Sequence, residues 1–252
     1  MKFIGIIPSR YESTRFPGKP LADISGKSMI NRVYEQAKKA LDNVYVATDD
    51  KRIANEVKRF GGQFVITSKN HESGTDRIAE AIQTIQKKLN TRFDVVVNIQ
   101  GDEPFIKPAQ IKELMNCFTH NETEIATLIK KISDPEDIFN PNKPKVIFNH
   151  QMNAIYFSRS PIPYIRNKEK QHWLNSFDFY RHIGMYAYKT DVLAKITRLE
   201  RSKLEIAESL EQNRWIENGY TIKVSETDFD SMGIDTPEDL QKALNYIKKV
   251  NR

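Results

Sequence analysis

Residues 2–8, Lys2-Phe3-Ile4-Gly5-Ile6-Ile7-Pro8, form a short apolar run closed by proline, and the residues after them, Ser9 to Lys27, are polar. A continuous apolar run of this length predicts a strand buried on both faces, and the polar run predicts a long loop at its carboxyl end. Outward from there the chain alternates. Ser28 to Ala40 reads as a helix, with Met29, Ile30, Val33 and Ala37 at helical spacing. Asn43 to Thr48 reads as a strand ending in Asp49-Asp50, Lys51 to Phe60 as a helix stopped by Gly61-Gly62, and Gln63 to Thr67 as a strand. Thr75 to Leu89 reads as a helix with Ile78, Ala79, Ile82 and Ile85 on one side, and Phe93 to Ile99 as a β-branched strand. This order predicts an α/β fold with a mostly parallel sheet covered by helices. Ligands of such sheets bind beyond the carboxyl ends of the strands. The polar loops that start at Ser9, Asp49 and Gln100 all lie there.

The second half is less regular. Lys145 to Phe148 and Ala154 to Ser158 read as paired strands, Pro161 to Tyr164 as a proline-rich aromatic segment, and Arg166 to Trp173 as a loop. Gly184 to Tyr188 reads as a strand, Leu204 to Asn218 as one helix and Tyr220 to Val224 as a strand. In Thr236-Pro237-Glu238-Asp239, threonine caps, proline takes the first helical position and acids favour the first turn, so a last helix runs to about Val250. No repeat, low-complexity tract or linker interrupts the chain.

With 252 residues, of which 39% are hydrophobic and 10% aromatic, the chain is long enough for a sizeable core and too apolar for disorder. The net charge of +6 suits a lysine-rich surface or anionic substrates. The lysines are scattered and no nucleic-acid module is present, so no nucleic-acid partner is expected. Cys117, the only cysteine, lies in the helical pattern of Ile111, Leu114, Met115 and Phe118, which predicts a buried thiol and excludes an intrachain disulfide. No apolar stretch approaches the ~18 residues of a membrane span, and no leader pattern opens the chain, so a cytoplasmic protein without membrane insertion is expected.

Three places hold candidate chemistry. The loop Pro8-Ser9-Arg10-Tyr11-Glu12-Ser13-Thr14-Arg15-Phe16-Pro17-Gly18-Lys19-Pro20-Leu21 gathers Arg10, Arg15 and Lys19 with hydroxyls and a glycine. That mixture suits phosphate binding, and it also suits an ordinary basic surface loop. Gly26-Lys27-Ser28 ends like a phosphate-binding loop, but Leu21 stands where the first glycine belongs. In Asn98-Ile99-Gln100-Gly101-Asp102-Glu103-Pro104, Asp102 is either a magnesium ligand or a turn residue. In Gly233-Ile234-Asp235-Thr236-Pro237, Thr236 fits the cap, which leaves Asp235 free to face a ligand.

These segments, with Ser73-Gly74-Thr75-Asp76-Arg77, Tyr156 to Arg159, Arg181 to Tyr188, Leu210 to Gln212 and Gly233 to Leu240, resemble the 3-deoxy-manno-octulosonate (Kdo) cytidylyltransferases, also called CMP-Kdo synthetases. Each motif is weak alone; seven in order over nearly the whole chain are specific. The resemblance implies a three-layer α/β fold of nucleotide-diphospho-sugar transferase type, with a mixed central sheet and a smaller β-containing lobe for sugar binding and dimerisation. It implies a single domain over residues 1–252: a nucleotide half at 1–130, the lobe at about 131–200, and a return to the main sheet at 201–252.

It implies transfer of CMP from CTP to Kdo, with release of pyrophosphate, for lipopolysaccharide biosynthesis. Magnesium is the implied cofactor and a homodimer the implied assembly. By analogy, Pro8, Ser9, Arg10, Arg15, Lys19, Ser73, Gly74, Arg77 and Gln100 surround the nucleotide. Gln100, Arg159, His182, Tyr186, Glu211 and Gln212 build the sugar side. Asp102 and Asp235 hold the metal, and with Arg10 and Lys19 they form the catalytic set. Exposed Tyr156, Phe157 and Tyr164 are compatible with a dimer contact.

Some positions depart from the family pattern: Met185, Ala187, Lys189, Tyr164 and the loop from Arg166 to Asn175. They bear on the choice among acidic sugars, for which sialic acid and amino-Kdo are the rivals. A sugar-1-phosphate nucleotidylyltransferase would open with Gly-x-Gly-x-Arg, which this chain lacks. A non-catalytic basic nucleic-acid-binding protein is the alternative from another class.

Overall fold

The structure, a computed structural model, describes residues 1–230 and 232–250. In chain order its elements are β1 (Phe3–Ser9), α1 (Met29–Lys38), β2 (Val44–Thr48), α2 (Lys51–Arg59), β3 (Phe64–Ile66), α3 (Gly74–Leu89), β4 (Val95–Asn98) and α4 (Pro108–Asn116). Then follow β5 (Ile125–Lys131), α5 (Pro135–Phe139), β6 (Lys145–Phe148), β7 (Ala154–Ser158), β8 (Tyr180–Lys189), α6 (Thr190–Ile196), α7 (Lys203–Glu208), α8 (Glu211–Glu217), β9 (Ile222–Glu226) and α9 (Pro237–Val250). The chain divides into two compact units, Met1–Lys112 with Ser231–Arg252, and Glu113–Asp230.

In the first unit the strands run β3-β2-β1-β4, all parallel. β2 is buried throughout, and Ile4, Ile6 and Ile7 of β1 are fully buried, as apolar runs without alternation require. Helices cover the sheet through their apolar stripes: Met29, Ile30, Val33 and Ala37 of α1, Ile53 and Val57 of α2, and Ile78, Ile82 and Ile85 of α3. The chain leaves β1 toward β2 on one side and later returns to pair β4 on the other. The loops after β1 and β4 therefore open a crevice at their carboxyl ends. α9 closes this unit: Ile234 and Ala243 pack with Ile24 and Met29, and Phe16 and Phe105 lie against the same cluster. Thr236 caps α9 as expected, with its Oγ1 accepting from the Asp239 N–H at 3.2 Å.

In the second unit β5 lies between β8, antiparallel to it, and β9, parallel to it. β6 and β7 pair as expected, and the pair is antiparallel. The β5–β8 register jumps between Thr127 and Leu128, so that Thr127 faces Tyr186 while Leu128 faces Ile183. This bulge leaves His182 and Tyr186 with ring centroids 5.2 Å apart.

Several local expectations differ from the structure. The single helix over Leu204 to Asn218 is two, α7 and α8, broken where Ser209 takes a left-handed conformation at φ 51°. Cys117 is buried but lies in a 3-10 turn after α4 rather than in the helix. Lys170–His172 form a 3-10 turn inside the segment read as loop. Phe157 is fully buried instead of exposed, because Asn213 of α8 bonds both its N–H and its carbonyl and His182 lies edge-on to its ring. Tyr156 is half-buried, and Tyr164 is exposed as expected.

Candidate active site

Pro8 and Ser9 end β1, and Gln100-Gly101-Asp102 follow β4. A cleft of about 400 Å³ opens between these two strand ends, lined also by Arg10, Ser13, Arg15, Lys19, Pro20 and Asp235. A smaller recess of about 150 Å³ shares Pro8, Ser9, Arg10 and Gln100 and is completed by His71, Glu72, Ser73, Gly74 and Arg77. All nine residues assigned to the nucleotide line one or both cavities. Ser13, His71, Glu72 and Gly101 line them too and had no role assigned from the sequence. Close approach sets the identity of Gly101: a Cβ there would lie 3.0 Å from the Pro8 carbonyl oxygen.

The charged groups meet at one point. The Lys19 ammonium donates to Asp102 Oδ2 at 2.8 Å and to Asp235 Oδ1 at 3.0 Å, and Arg15 reaches Asp235 Oδ2 at 3.1 Å. The two acid loops are tied by the Ile234 N–H, which donates to the Asp102 carbonyl at 2.9 Å. Burial of Ile234 in the apolar cluster under α9 thereby fixes Asp235, its neighbour, beside a loop more than a hundred residues earlier. Burial works against the Lys19 ammonium, but Asp102 and then Asp235 outweigh it and raise its pKa above the ordinary lysine value. Lys19 stays charged. The Arg15–Asp235 pair is exposed on both sides and contributes little to stability.

The donor set fits a hard divalent cation. Two carboxylates already converge on one cationic group. Magnesium takes one or two carboxylates and completes its shell with waters and phosphate oxygens.

The smaller recess is held by ionic and capping contacts. Arg77, buried on α3, donates to Thr67 Oγ1 at 2.7 Å and reaches Asp49 at 3.2 Å. Ser73 caps α3, accepting from the Asp76 N–H at 3.0 Å, so its hydroxyl has a structural duty besides lining the recess. His71 bonds Glu80, which also accepts the Ser68 N–H. The buried Ser9 Oγ finds no partner among the described residues. An unpaired buried hydroxyl costs about 1–3 kcal/mol, so its place in the wall of both cavities points to a ligand.

In the second unit the residues assigned to the sugar gather around β8 and α8. His182 accepts from or donates to Thr127 Oγ1 at 2.9 Å. Desolvation lowers its pKa to about 3, which makes it neutral at physiological pH. Tyr186 is buried, its phenol pushed well up by that burial, and its ring lies edge-on to Trp215 at 5.2 Å. Gln212 and Trp215 share a face of α8, and both are buried with Gln212 Nε2 and Trp215 Nε1 lacking partners among the described residues. Glu211 pairs with Arg214 at 2.8 Å.

Arg159 turns toward the main chain. It donates to the carbonyls of Glu208 at 2.6 Å, Pro141 at 2.9 Å and Ser209 at 3.3 Å, and so braces the break between α7 and α8. Glu208 is a hub the sequence did not disclose, accepting from Ser158 Oγ, the Arg159 N–H and Tyr156 Oη. Burial would raise its pKa, but those three donors lower it below the usual glutamate value.

A parallel sheet with a basic loop and two acids at its carboxyl edge suits a phosphate-bearing ligand, and the relatives give the class, a nucleotidyltransferase. The family described as Cytidylyltransferase matches residues 4–224 of the chain. The 3-deoxy-manno-octulosonate cytidylyltransferase of Parabacteroides distasonis is 60% identical over 98% of both chains. That of Bacteroides thetaiotaomicron is 55% identical over 98% of this chain and 99% of its own. A solved structure of CMP:2-keto-3-deoxy-manno-octonic acid synthetase complexed with CTP is 39% identical, with a TM-score of 0.90 over 99% of this chain and 100% of that one. A 4-diphosphocytidyl-2C-methyl-D-erythritol synthase of Anaerococcus prevotii, 13% identical with a TM-score of 0.62, shares the fold. The chain belongs to the 3-deoxy-manno-octulosonate cytidylyltransferase family.

Proposed function

We infer that this chain transfers CMP from CTP to the anomeric hydroxyl of Kdo, giving CMP-Kdo and pyrophosphate, a reaction that serves lipopolysaccharide biosynthesis. The observation that carries the reading is the convergence of Lys19, Asp102 and Asp235 at the carboxyl edge of β1 and β4. The two substrates, a carboxylate and a triphosphate, repel each other. The chain's task is to offset that repulsion and hold the reacting atoms in line.

Arg10, Arg15 and Lys19 bind the triphosphate, with Lys19 exchanging its carboxylate partners for phosphate oxygens. Ser9, Gly101 and Gln100 approach it from the strand ends, and the recess of Ser73, Gly74 and Arg77 takes the nucleoside. Asp102 and Asp235 hold magnesium, which when bound supplies positive charge to the phosphoryl oxygens. The sugar hydroxyl forms the new bond to the α-phosphorus and gives its proton to water, the bond to the bridging oxygen breaks opposite, and pyrophosphate leaves with that electron pair. No enzyme nucleophile takes part. Neutral His182, Tyr186, Gln212 and Glu211 bind sugar hydroxyls. Arg159 holds the turn that precedes Glu211 and Gln212.

The same reading includes a homodimer, for which exposed Ile155 and Tyr164 offer apolar surface, and a cytoplasmic location, where CTP is available. Among the described residues no helix is long and apolar enough to cross a membrane. Pyrophosphate release tests the reading, with each of the four nucleoside triphosphates and with Kdo, sialic acid or amino-Kdo as acceptor, with and without magnesium. CTP, Kdo and magnesium together are expected to support turnover at least tenfold above any other combination. Faster turnover with sialic acid or amino-Kdo would reassign the acceptor, and turnover undiminished by chelation would remove the metal.

A further inference from the structure

Arg52, near the start of α2, has no place in the cavities described above as the nucleotide site, yet it touches the loop that builds them. Its guanidinium carbon lies 3.2 Å from the centroid of the Tyr11 ring. The same guanidinium is held as a fork by Asp50, Nε to Oδ1 at 3.0 Å and Nη2 to Oδ2 at 2.7 Å. Asp50 in turn caps α2, accepting the Arg52 N–H at 2.8 Å. Arg52 is therefore fixed in orientation although its side chain is 57% exposed.

Tyr11 is one side of a neck. Its carbonyl accepts the Gly18 N–H at 3.0 Å, and its ring lies so close to Gly18 that a Cβ there would meet it at 3.0 Å. Gly18 sits at φ 70°, a left-handed conformation in which glycine alone is unstrained, and it starts the 3-10 turn of Lys19–Leu21. Arg10 directly precedes Tyr11 and Lys19 directly follows Gly18, so the neck sets the spacing of two cations that line the cleft. Ser13 and Arg15, also in the lining, lie on the loop that the neck closes.

We propose that Arg52 and Tyr11 form a brace that holds the phosphate-binding loop closed before the nucleotide arrives, with Arg52 as a positioning residue for CTP. Arg15 and Lys19 are drawn to Asp235 and Asp102 in the empty cleft, and those pairs loosen when phosphate takes their place. A cation stacked on an aromatic face, itself anchored to a helix end, holds one side of the neck in place. Pre-closing a loop strengthens ligand binding by removing an ordering cost from the binding step. The triphosphate closes the loop by itself once bound, so the brace governs affinity rather than the rate at saturation. The inference rests on the assignment of this loop to the triphosphate.

The test uses the full chain in two measurements. In steady-state kinetics Arg52→Gln is expected to raise KM for CTP about three- to fivefold, the worth of an exposed cation–aromatic contact, with kcat within twofold. Tyr11→Leu, which also removes the ring from Gly18, is expected to raise it about tenfold. Tyr11→Phe keeps the ring and is expected to behave as the unaltered protein, and Arg52→Lys, a cation without the fork, lies between. In limited trypsin digestion without ligand, cleavage after Arg15, followed by fragment mass, is expected to be several-fold faster in Arg52→Gln, and CTP suppresses the difference. An unchanged KM in both Arg52→Gln and Tyr11→Leu, or a fall in kcat without a change in KM, overturns the brace. If the unaltered protein releases no pyrophosphate from CTP and Kdo, the functional reading fails instead. The trypsin comparison then decides the brace alone, and equal cleavage after Arg15 rejects it.

Discussion

The cleft of the first unit and the aromatic cluster of the second are built on opposite principles. In the cleft, long charged side chains on loops satisfy one another: Lys19 sits between two carboxylates and Arg15 pairs with one of them. Around β8 and α8 the groups stand on regular elements, packed ring against ring, with polar atoms of Gln212 and Trp215 buried without partners among the described residues. A charged substrate can thus be met by exchanging one ion pair for another. A sugar, which offers only hydroxyls and one carboxylate, needs donors and acceptors already fixed and desolvated. Substitutions of the charged groups that meet in the first region should therefore act on turnover, and those in the second on acceptor affinity.

The largest effect is expected in the cleft. Asp102→Asn keeps the shape and removes one of the two carboxylate charges that meet at Lys19. Turnover should fall about 10²–10³-fold, the scale of losing one electrostatic stabiliser, with the melting temperature within a few degrees. Unaltered rates at saturating magnesium would take Asp102 out of the metal site.

In the second region Gln212→Met keeps the volume and removes a buried amide whose Nε2 has no partner among the described residues. KM for Kdo should rise about tenfold while stability stays level or gains up to about 1 kcal/mol, because an unpaired polar group has been removed. Lower stability together with unchanged acceptor affinity would make Gln212 structural.

A smaller effect separates shape from charge. Gly101→Ala places a Cβ against the Pro8 carbonyl, and the cost should be about 1 kcal/mol of stability in a urea melt with a several-fold rise in KM for CTP. Wild-type values on both counts would show that the strand ends can separate freely.

The last effect, one of pH dependence, is nil at neutral pH and emerges only as pH falls. His182, with a pKa lowered to about 3, stays neutral in the folded protein while the unfolded chain takes up a proton near the ordinary value of 6.5. The resulting loss of stability is absent above that value, grows as pH falls below it and stops growing below about 3. The His182 contribution to the slope is at most about 1.4 kcal/mol per pH unit. His182→Gln should flatten the slope between pH 6 and 4, and an equal slope in both proteins would place the proton elsewhere.

How much of this was legible in the sequence follows the same division. The first unit announces itself through local patterns: continuous apolar strands, helices with a clear stripe, and loops whose charges lie together in the chain. The second unit is decided at a distance. β5, its middle strand, was not marked out, because seven residues ending in two lysines carry little signal until β8 and β9 pair with them. The break between α7 and α8 rests on a left-handed serine, which has no sequence signature comparable to glycine. Phe157 is buried by α8, more than fifty residues later in the chain. Arg159 was matched by motif to the sugar, and its use of main-chain carbonyls near Pro141 and Glu208 depends on loops far along the chain. The stacking of Arg52 on Tyr11 is of the same kind.

The most direct test of the ionic centre is a crystal soaked with CTP and manganese in place of magnesium, read by anomalous scattering. The expected result is a peak about 2.1 Å from carboxylate oxygens of both Asp102 and Asp235, with Lys19 turned onto a phosphate oxygen. A metal bound away from both aspartates, with Lys19 still bridging them beneath the nucleotide, would contradict the account.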